Sequence, residues 1–203
     1  EGFWICETET TQRQYLEFAQ RDGYFAMDEP AHSTSYIAAQ DYLDALNAWG
    51  FLANGVGSGS EVEQKYEFRL PTSAEWEVAA RAGTSTPFFF GANPERLARY
   101  GNCADKTFAA KHPECGHAIS SDDGYEWVAP VRSFKPNDWA LYDTAGNCAE
   151  WVSDWYVGRP NLEPTVDPTG PDFGDARLEK NAKRLKEVRG GHAVSRAAEC
   201  RSA

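Results

Sequence analysis

The segment Asp143-Thr144-Ala145-Gly146-Asn147-Cys148-Ala149-Glu150 sets two carboxylates seven positions apart across a glycine-bearing turn. Side-chain oxygens from Asp143 and Glu150, with backbone carbonyls between them, form an all-oxygen set that suits a hard cation such as Ca²⁺ rather than zinc. Asp122-Asp123-Gly124-Tyr125 is a second acidic turn, a weaker signal because Asp-Gly is common in turns of every kind. Thiols are the other chemical resource. The five cysteines, Cys6, Cys103, Cys115, Cys148 and Cys200, are odd in number and lack Cys-x-x-Cys spacing, which argues against a zinc site. At most two disulfides can form; Cys103 and Cys115 share one loop-like stretch and are the natural pair, while the alternative of five reduced, mostly buried thiols stays open. No Ser/His/Asp triad stands out. Gly55-Val56-Gly57-Ser58-Gly59 lacks the flanking strand, helix and lysine of a phosphate loop and reads as a flexible surface loop.

These groups need elements to position them, and the clearest is coded by Arg69-Leu70-Pro71-Thr72-Ser73-Ala74-Glu75-Trp76-Glu77-Val78-Ala79-Ala80-Arg81. Pro71 biases Leu70 toward an extended conformation, Thr72 caps a helix, and Glu75 reaches back to close a capping box. Trp76, Ala79 and Ala80 then share one apolar face. Upstream, Phe3-Trp4-Ile5 reads as a strand leading into a helix whose box is formed by Thr11 and Gln14, with Tyr15, Phe18 and Ala19 as its buried stripe. A further helix is predicted over 35–48, capped by Ser35, with Ala39, Tyr42, Leu43, Leu46 and Trp49 at helical spacing. From Thr84 to Tyr142 periodicity is poor, while aromatics, glycines and prolines are frequent. Residues 53–61 and 160–175 read as loops, and Arg177 to Arg189 as a basic, solvated run leading into a strand.

At 203 residues, 41% hydrophobic and 25% charged, with seven tryptophans, the chain is globular and is expected to form one domain over 1–203. A formal net charge of −11 disfavours nucleic-acid phosphates and anionic membranes and favours cations. No apolar run reaches the roughly 18 residues needed to cross a bilayer, so direct membrane insertion is not expected.

The Arg69 to Arg81 block resembles the RLPTEAEWE-A-R signature of the formylglycine-generating enzyme, or sulfatase-modifying-factor, family. Glu9 to Phe18 resembles the family's E-V-T-N-x-Q-Y-x-x-F opening. Pro30 to Leu46 fits P-V-x-x-V-S-W-x-D-A-x-x-Y-x-x-W-L without a gap, with Tyr36 for the usual Trp and Ala38 for Asp. The resemblance implies an α+β, C-type-lectin-like fold that is irregular and loop-rich, with a few helices and small antiparallel sheets. Against the family pattern, segments are expected to be lacking before Glu1 and after Arg201-Ser202-Ala203.

The resemblance also implies ligands for two structural Ca²⁺ ions. At the first site, the family segment N-x-x-G-N-x-W-E-W carries across to the Asp143 side chain, the Gly146 and Cys148 carbonyls and the Glu150 carboxylate. At the second, Gly101-Asn102-Cys103 and Asp122-Asp123-Gly124-Tyr125 supply the Asn102 and Asp123 side chains and the Cys103 and Tyr125 carbonyls. Oxidase members of the family convert a substrate cysteine to formylglycine with O₂ and copper(I) held by two cysteines. Ungapped counting from Arg189-Gly190-Gly191 places Ser195 at the first of these and Cys200 at the second, so one thiol is missing from a site that needs two soft ligands. His192 and Ala149 are further departures, replacing a serine and a tryptophan. No His-x-x-x-His pattern points to the iron-dependent branch.

Arg189 to Ala203 also resembles the terminal R-G-G-S-W-x-x-x-A-x-x-C/L-R-S-A frame of retroelement-diversified binding proteins of this fold. That resemblance implies a noncatalytic binding module. It would present His192, Val194, Ser195, Arg196, Ala198 and Glu199, with Trp155 and Tyr156 as aromatic anchors, to a protein or other macromolecule, from an extracytoplasmic or cell-surface position. The alternatives are a copper- and O₂-dependent oxidase working through Cys200, and a regulatory or structural domain of a larger protein such as a kinase.

Overall fold

The computed structural model describes residues 2–19, 27–53, 67–157, 166–171 and 185–203. The glycine- and serine-rich stretch after Ala53, most of 160–175 and the basic run up to residue 184 lie outside the described residues. Capping chemistry starts the helices. Thr11 Oγ1 accepts from the Gln14 amide at 3.2 Å and Gln14 Oε1 accepts from the Thr11 amide at 2.9 Å, opening α1 (Gln12–Ala19). Ser35 Oγ accepts from the Ala38 amide at 3.2 Å ahead of α2 (Tyr36–Ala53), which runs past residue 48 because Phe51, Leu52 and Ala53 continue it beyond the unfavourable Gly50. In α3 (Ser73–Arg81), Thr72 Oγ1 accepts from the Glu75 amide at 3.1 Å and Glu75 Oε2 accepts from the Thr72 amide at 2.8 Å.

The stretch from 84 to 142 is irregular, as its lack of periodicity requires, but it contains two short turns of helix. A 3₁₀ turn, Pro94–Arg99, is capped by Asn93, and α4 (Lys106–Lys111) is capped by Asp105, whose Oδ1 accepts from the Phe108 amide at 2.9 Å. A two-stranded antiparallel ribbon joins β1 (Glu150–Trp155) to β2 (Lys186–Arg189), with Glu150 opposite Arg189, Trp151 opposite Val188 and Trp155 opposite Lys186 across an irregularity. A final 3₁₀ turn spans Ala197–Cys200.

Phe3-Trp4-Ile5 forms no strand: among the described residues nothing pairs with it, and Trp4 is 87% exposed. The interior lies elsewhere. Trp76 and Ala80 of α3 bury against Val152 of β1, and a second cluster gathers Phe88, Phe90, Leu97, Cys103, Ile119, Ala145, Ala197 and Cys200. That second cluster spans the irregular region, the acidic turn and the C-terminal segment, so the loops that would carry the chemistry are themselves the core. Among the described residues, no helix is long and apolar enough to cross a membrane.

Candidate functional site

Three chain segments meet backbone to backbone at the centre of the molecule. The Asn147 amide donates to the Asn102 carbonyl at 2.8 Å, the Gly146 amide to the Gly190 carbonyl at 2.7 Å, and the Ala193 amide to the Asn147 carbonyl at 3.0 Å. The Ala104 amide closes the circuit by donating to the Ser195 carbonyl at 3.0 Å. This contact leaves no room for side chains: a Cβ on Gly101 would lie 1.7 Å from the Ala145 carbonyl oxygen, and one on Gly146 would lie 1.8 Å from that of Asn102. Asn147, held at φ 66°, fastens the junction. Its Oδ1 accepts from the Ala129 amide at 2.8 Å and from Asn102 Nδ2 at 3.3 Å, while its Nδ2 donates to Glu9 Oε2 at 2.8 Å and to the Ala129 carbonyl at 3.2 Å.

Around this junction both acidic turns present oxygens with no donor. The Asp143 backbone is left-handed, at φ 59°, and its Oδ2 accepts from the Arg132 amide at 2.9 Å; its buried Oδ1 has no donor among the described residues. Burial raises the Asp143 pKa from its ordinary value, against the lowering effect of the Arg132 amide. Glu150 sits under Trp76 and beside Gly190. Its pKa is pushed up to about 7, chiefly by desolvation; the hydrogen bond from Trp76 works against the rise and the Asp143 charge adds to it. In the other turn, Asp123 Oδ1 accepts from the Tyr125 amide at 2.8 Å, whereas the buried Asp123 Oδ2 and, nearby, Asn102 Oδ1 have no partner among the described residues. Burial, with a further contribution from the Asp105 charge, lifts Asp123 to about 7.

Three of the five buried side-chain oxygens without a partner among the described residues, on Asn102, Asp123 and Asp143, are thus those the sequence puts forward as cation ligands. An unpaired buried oxygen is costly, and hard oxygen donors with carboxylates of raised pKa are what Ca²⁺ coordination satisfies. The residues present therefore fit the ion. Among the described residues no group of three or more His, Cys, Asp and Glu side chains is placed to hold a metal, so either site would depend on the Gly146, Cys148, Cys103 and Tyr125 carbonyls for most of its ligands.

Two contributors escape the sequence reading. Glu9 is buried, accepting from Asn147 Nδ2 and, at 2.8 Å, from the Cys148 amide; desolvation and the Glu150 and Asp143 charges push its pKa well up. Asp105 is fully buried and accepts from the Asp123 amide at 2.6 Å while capping α4. Nothing local announces Glu9, whose partners lie nearly 140 positions away. Asp105 could have been found as a cap, from its place three residues before Phe108.

The C-terminal segment alternates. His192, Arg196, Ala198 and Glu199 are exposed and Val194 half-buried, while Ala193, Ser195, Ala197 and Cys200 are buried. Ser195 belongs on the inner side: it is 4% exposed, its amide donates to the His192 carbonyl at 2.8 Å, and its hydroxyl accepts from the His192 amide at 3.2 Å. The small residues at every second position, Ala193, Ser195 and Ala197, were the missed signal. Trp155 and Tyr156 lie apart from this segment. The ribbon register puts Trp155 opposite Lys186, at the far end from Arg189, roughly 10 Å along β2. Trp155 packs under the Lys186 ammonium, 4.0 Å from its ring centre, and Tyr156 is exposed.

The cysteines differ from the expected pairing. All five are free; Cys103 is buried in the core beside Cys200, and Cys115 is half-exposed with its sulfur 3.6 Å from His117 Nε2. Hence Cys103 and Cys115 do not pair. Cys200 occupies an interior site against the Arg196 carbonyl, and Ser195 offers no thiolate there.

An irregular, loop-cored α+β domain with a small antiparallel ribbon and acidic turns at its centre has a C-type-lectin-like fold of the formylglycine-generating-enzyme type. The model of the sulfatase-modifying factor enzyme 1-like domain matches residues 1–203, and the chain belongs to that family. It is 40% identical over 118 residues to the formylglycine-generating enzyme of Streptomyces coelicolor, covering 58% of this chain and 36% of that protein. It is 32% identical over 181 residues to the inactive C-alpha-formylglycine-generating enzyme 2 of Bos taurus, covering 72% of this chain and 58% of that one. The chain thus spans only part of the length of these relatives. In structure it is similar to Treponema denticola variable protein 1, with a TM-score of 0.66 at 23% identity, over 96% of this chain and 74% of that one, a likeness of fold.

Proposed function

We propose that this chain is a noncatalytic binding module that presents its C-terminal segment to a protein or other macromolecular ligand. The alternation over 192–199 carries the reading. Its inner residues are tied to the central junction, and its outer residues, His192, Val194, Arg196, Ala198 and Glu199, lie toward solvent, Glu199 also capping the last turn through the Arg196 amide. Their chemistry is mixed, as a recognition surface requires and a structural surface does not. We further propose Ca²⁺ at the two acidic turns as the staple of that support, and an extracytoplasmic or cell-surface setting, where calcium is abundant enough to fill modest sites.

The relatives include both active and inactive formylglycine-generating proteins, and the chemistry at residues 195 and 200 favours the inactive side. A copper(I) site of the oxidase kind needs two thiolates; this chain has a buried hydroxyl at the first position. Copper(I) titration with oxygen uptake on a cysteine-containing peptide is expected to give no turnover. Formylglycine in the product peptide would overturn the reading. For the binding side, a macromolecular ligand recovered in a screen should lose at least tenfold in affinity to Arg196→Ala with Ala198→Glu, at an unchanged melting temperature; Glu199, which accepts from the Arg196 amide at 3.0 Å and caps the last turn, is left in place. A ligand insensitive to both changes would place recognition elsewhere.

A further inference from the structure

Cys103 and Cys200 are the two fully buried thiols among the described residues, and they sit in one core cluster although the sequence separates them by almost the whole C-terminal half. The Cys200 side chain, ahead of burial, pushes the pKa of the Cys103 thiol up. Their surroundings hold them there. Cys103 Sγ lies 3.7 Å from the Ala104 carbonyl, and Cys200 Sγ lies 3.7 Å from that of Arg196. Next to Cys103, the Ala104 amide binds the Ser195 carbonyl, bringing the C-terminal segment onto the same strand of loop. On the other side Gly191 gives way to the sulfur: a Cβ there would stand 2.7 Å from Cys200 Sγ. The three remaining cysteines are exposed or half-exposed.

We propose that Cys103 and Cys200 form a disulfide in an oxidising environment, a covalent staple that closes the C-terminal segment onto the core. The reaction is thiol–disulfide exchange with a small-molecule disulfide or with the disulfide form of an oxidoreductase. The Cys103 and Cys200 thiols each give up a proton and together two electrons, the Sγ–Sγ bond forms, and the donor disulfide is cleaved to two thiols that take up those protons and electrons. Because both sulfurs are enclosed in the folded chain, exchange takes place during folding, before the cluster closes, and the finished bond is shielded from reductants. The staple anchors residue 200, at the end of the outward-facing segment, while the Gly190 and Ala193 hydrogen bonds anchor its beginning. This consequence for ligand presentation rests on the binding-module reading; the bond itself does not.

The test is refolding from denaturant in a glutathione redox buffer and, separately, in dithiothreitol. After oxidative refolding and renewed denaturation, three of the five cysteines are expected to react with maleimide, and a non-reducing peptide map should show the 103 and 200 peptides joined, with a two-hydrogen mass deficit. The oxidised protein should melt roughly 5–15 °C above the reduced one, since the link closes a loop of about a hundred residues. Cys103→Ser and Cys200→Ser should each abolish the shift; if a variant does not fold, the wild-type peptide map decides. Five reactive thiols after oxidative refolding, or a bond joining any other pair, overturns the proposal. Loss of the ligand-binding reading would leave the map unchanged, so the two can fail separately.

Discussion

At the scale of single residues, the centre of the molecule is governed by what is too small to fill it. Gly101 and Gly146 let the backbone of the 143–150 turn and that of the Gly101-Asn102 segment lie directly on each other's carbonyls, and no rotamer can relieve a Cβ placed under 2 Å from a main-chain oxygen. Gly146→Ala is therefore expected to cost more than about 3 kcal/mol, measured as a shifted urea midpoint, or to prevent folding. Gly124 supplies the control: its φ is also positive, at 89°, but nothing lies within 4 Å of its Cβ position, so Gly124→Ala should show only the conformational cost of roughly 1 kcal/mol. Equal losses at the two positions would mean that the backbone contact contributes nothing. Asn147 and Glu9 show where residue-level reading stops. An asparagine and a glutamate 138 positions apart become partners only once the chain has folded, and neither type nor spacing predicts it. Asp143 and Asp123 were legible because their glycine-bearing turns are local.

Among the elements, legibility follows the range of the interaction that starts them. The boxes at Thr11 and Thr72 operate over three residues and could be read directly, as could the apolar face of α3. Phe3-Trp4-Ile5 has strand-like composition, but a strand exists only against a neighbour, and pairing is not written in the segment itself. The alternation over 192–198 was hidden for a related reason: its inner residues are small, not apolar and large, because they meet backbone. The start of α3 gives a pH test. Both guanidinium nitrogens of Arg69 lie 2.7 Å from Glu75 oxygens, and this pairing, together with the Thr72 amide, holds Glu75 down at about 2. The folded chain therefore keeps a charge that the unfolded chain surrenders in the ordinary carboxylate range. The pair's contribution is complete above that range and is lost as pH falls toward 2. With Arg69 half exposed, the effect should stay below about 1 kcal/mol. Melts recorded from pH 5 to 2.5 should fall more gently for Arg69→Ala than for the wild type, and parallel curves would remove the pair from the account.

For the whole molecule, the question is how a chain with so little regular structure keeps one shape. The ribbon of β1 and β2 and the helices account for part of it, but the second core cluster is drawn from the irregular 84–142 region, Ala145 of the 143–150 turn and the C-terminal Ala197 and Cys200. Ordering loops costs roughly 1–2 kcal/mol per residue, and these loops leave three carboxylate and amide oxygens buried without donors among the described residues while Glu150 and Asp123 rise to about 7. Positive charge at these points is what the proposed calcium adds. Ca²⁺ at Asp143 and Glu150, and at Asn102 and Asp123, would supply it at the two points where the segments cross, and the outward face of 192–199 would inherit its rigidity from there. Adding calcium at about a hundred times its dissociation constant should raise the melting temperature by roughly 5–10 °C over the chelator-treated protein. Asp143→Asn with Asp123→Asn should abolish most of that shift while raising the melting temperature of the chelated form, because the double variant no longer buries those two carboxylates. Superimposable melts with calcium and with chelator would mean that the orphaned oxygens are satisfied some other way, and the support for the C-terminal face would then rest on the backbone junction alone.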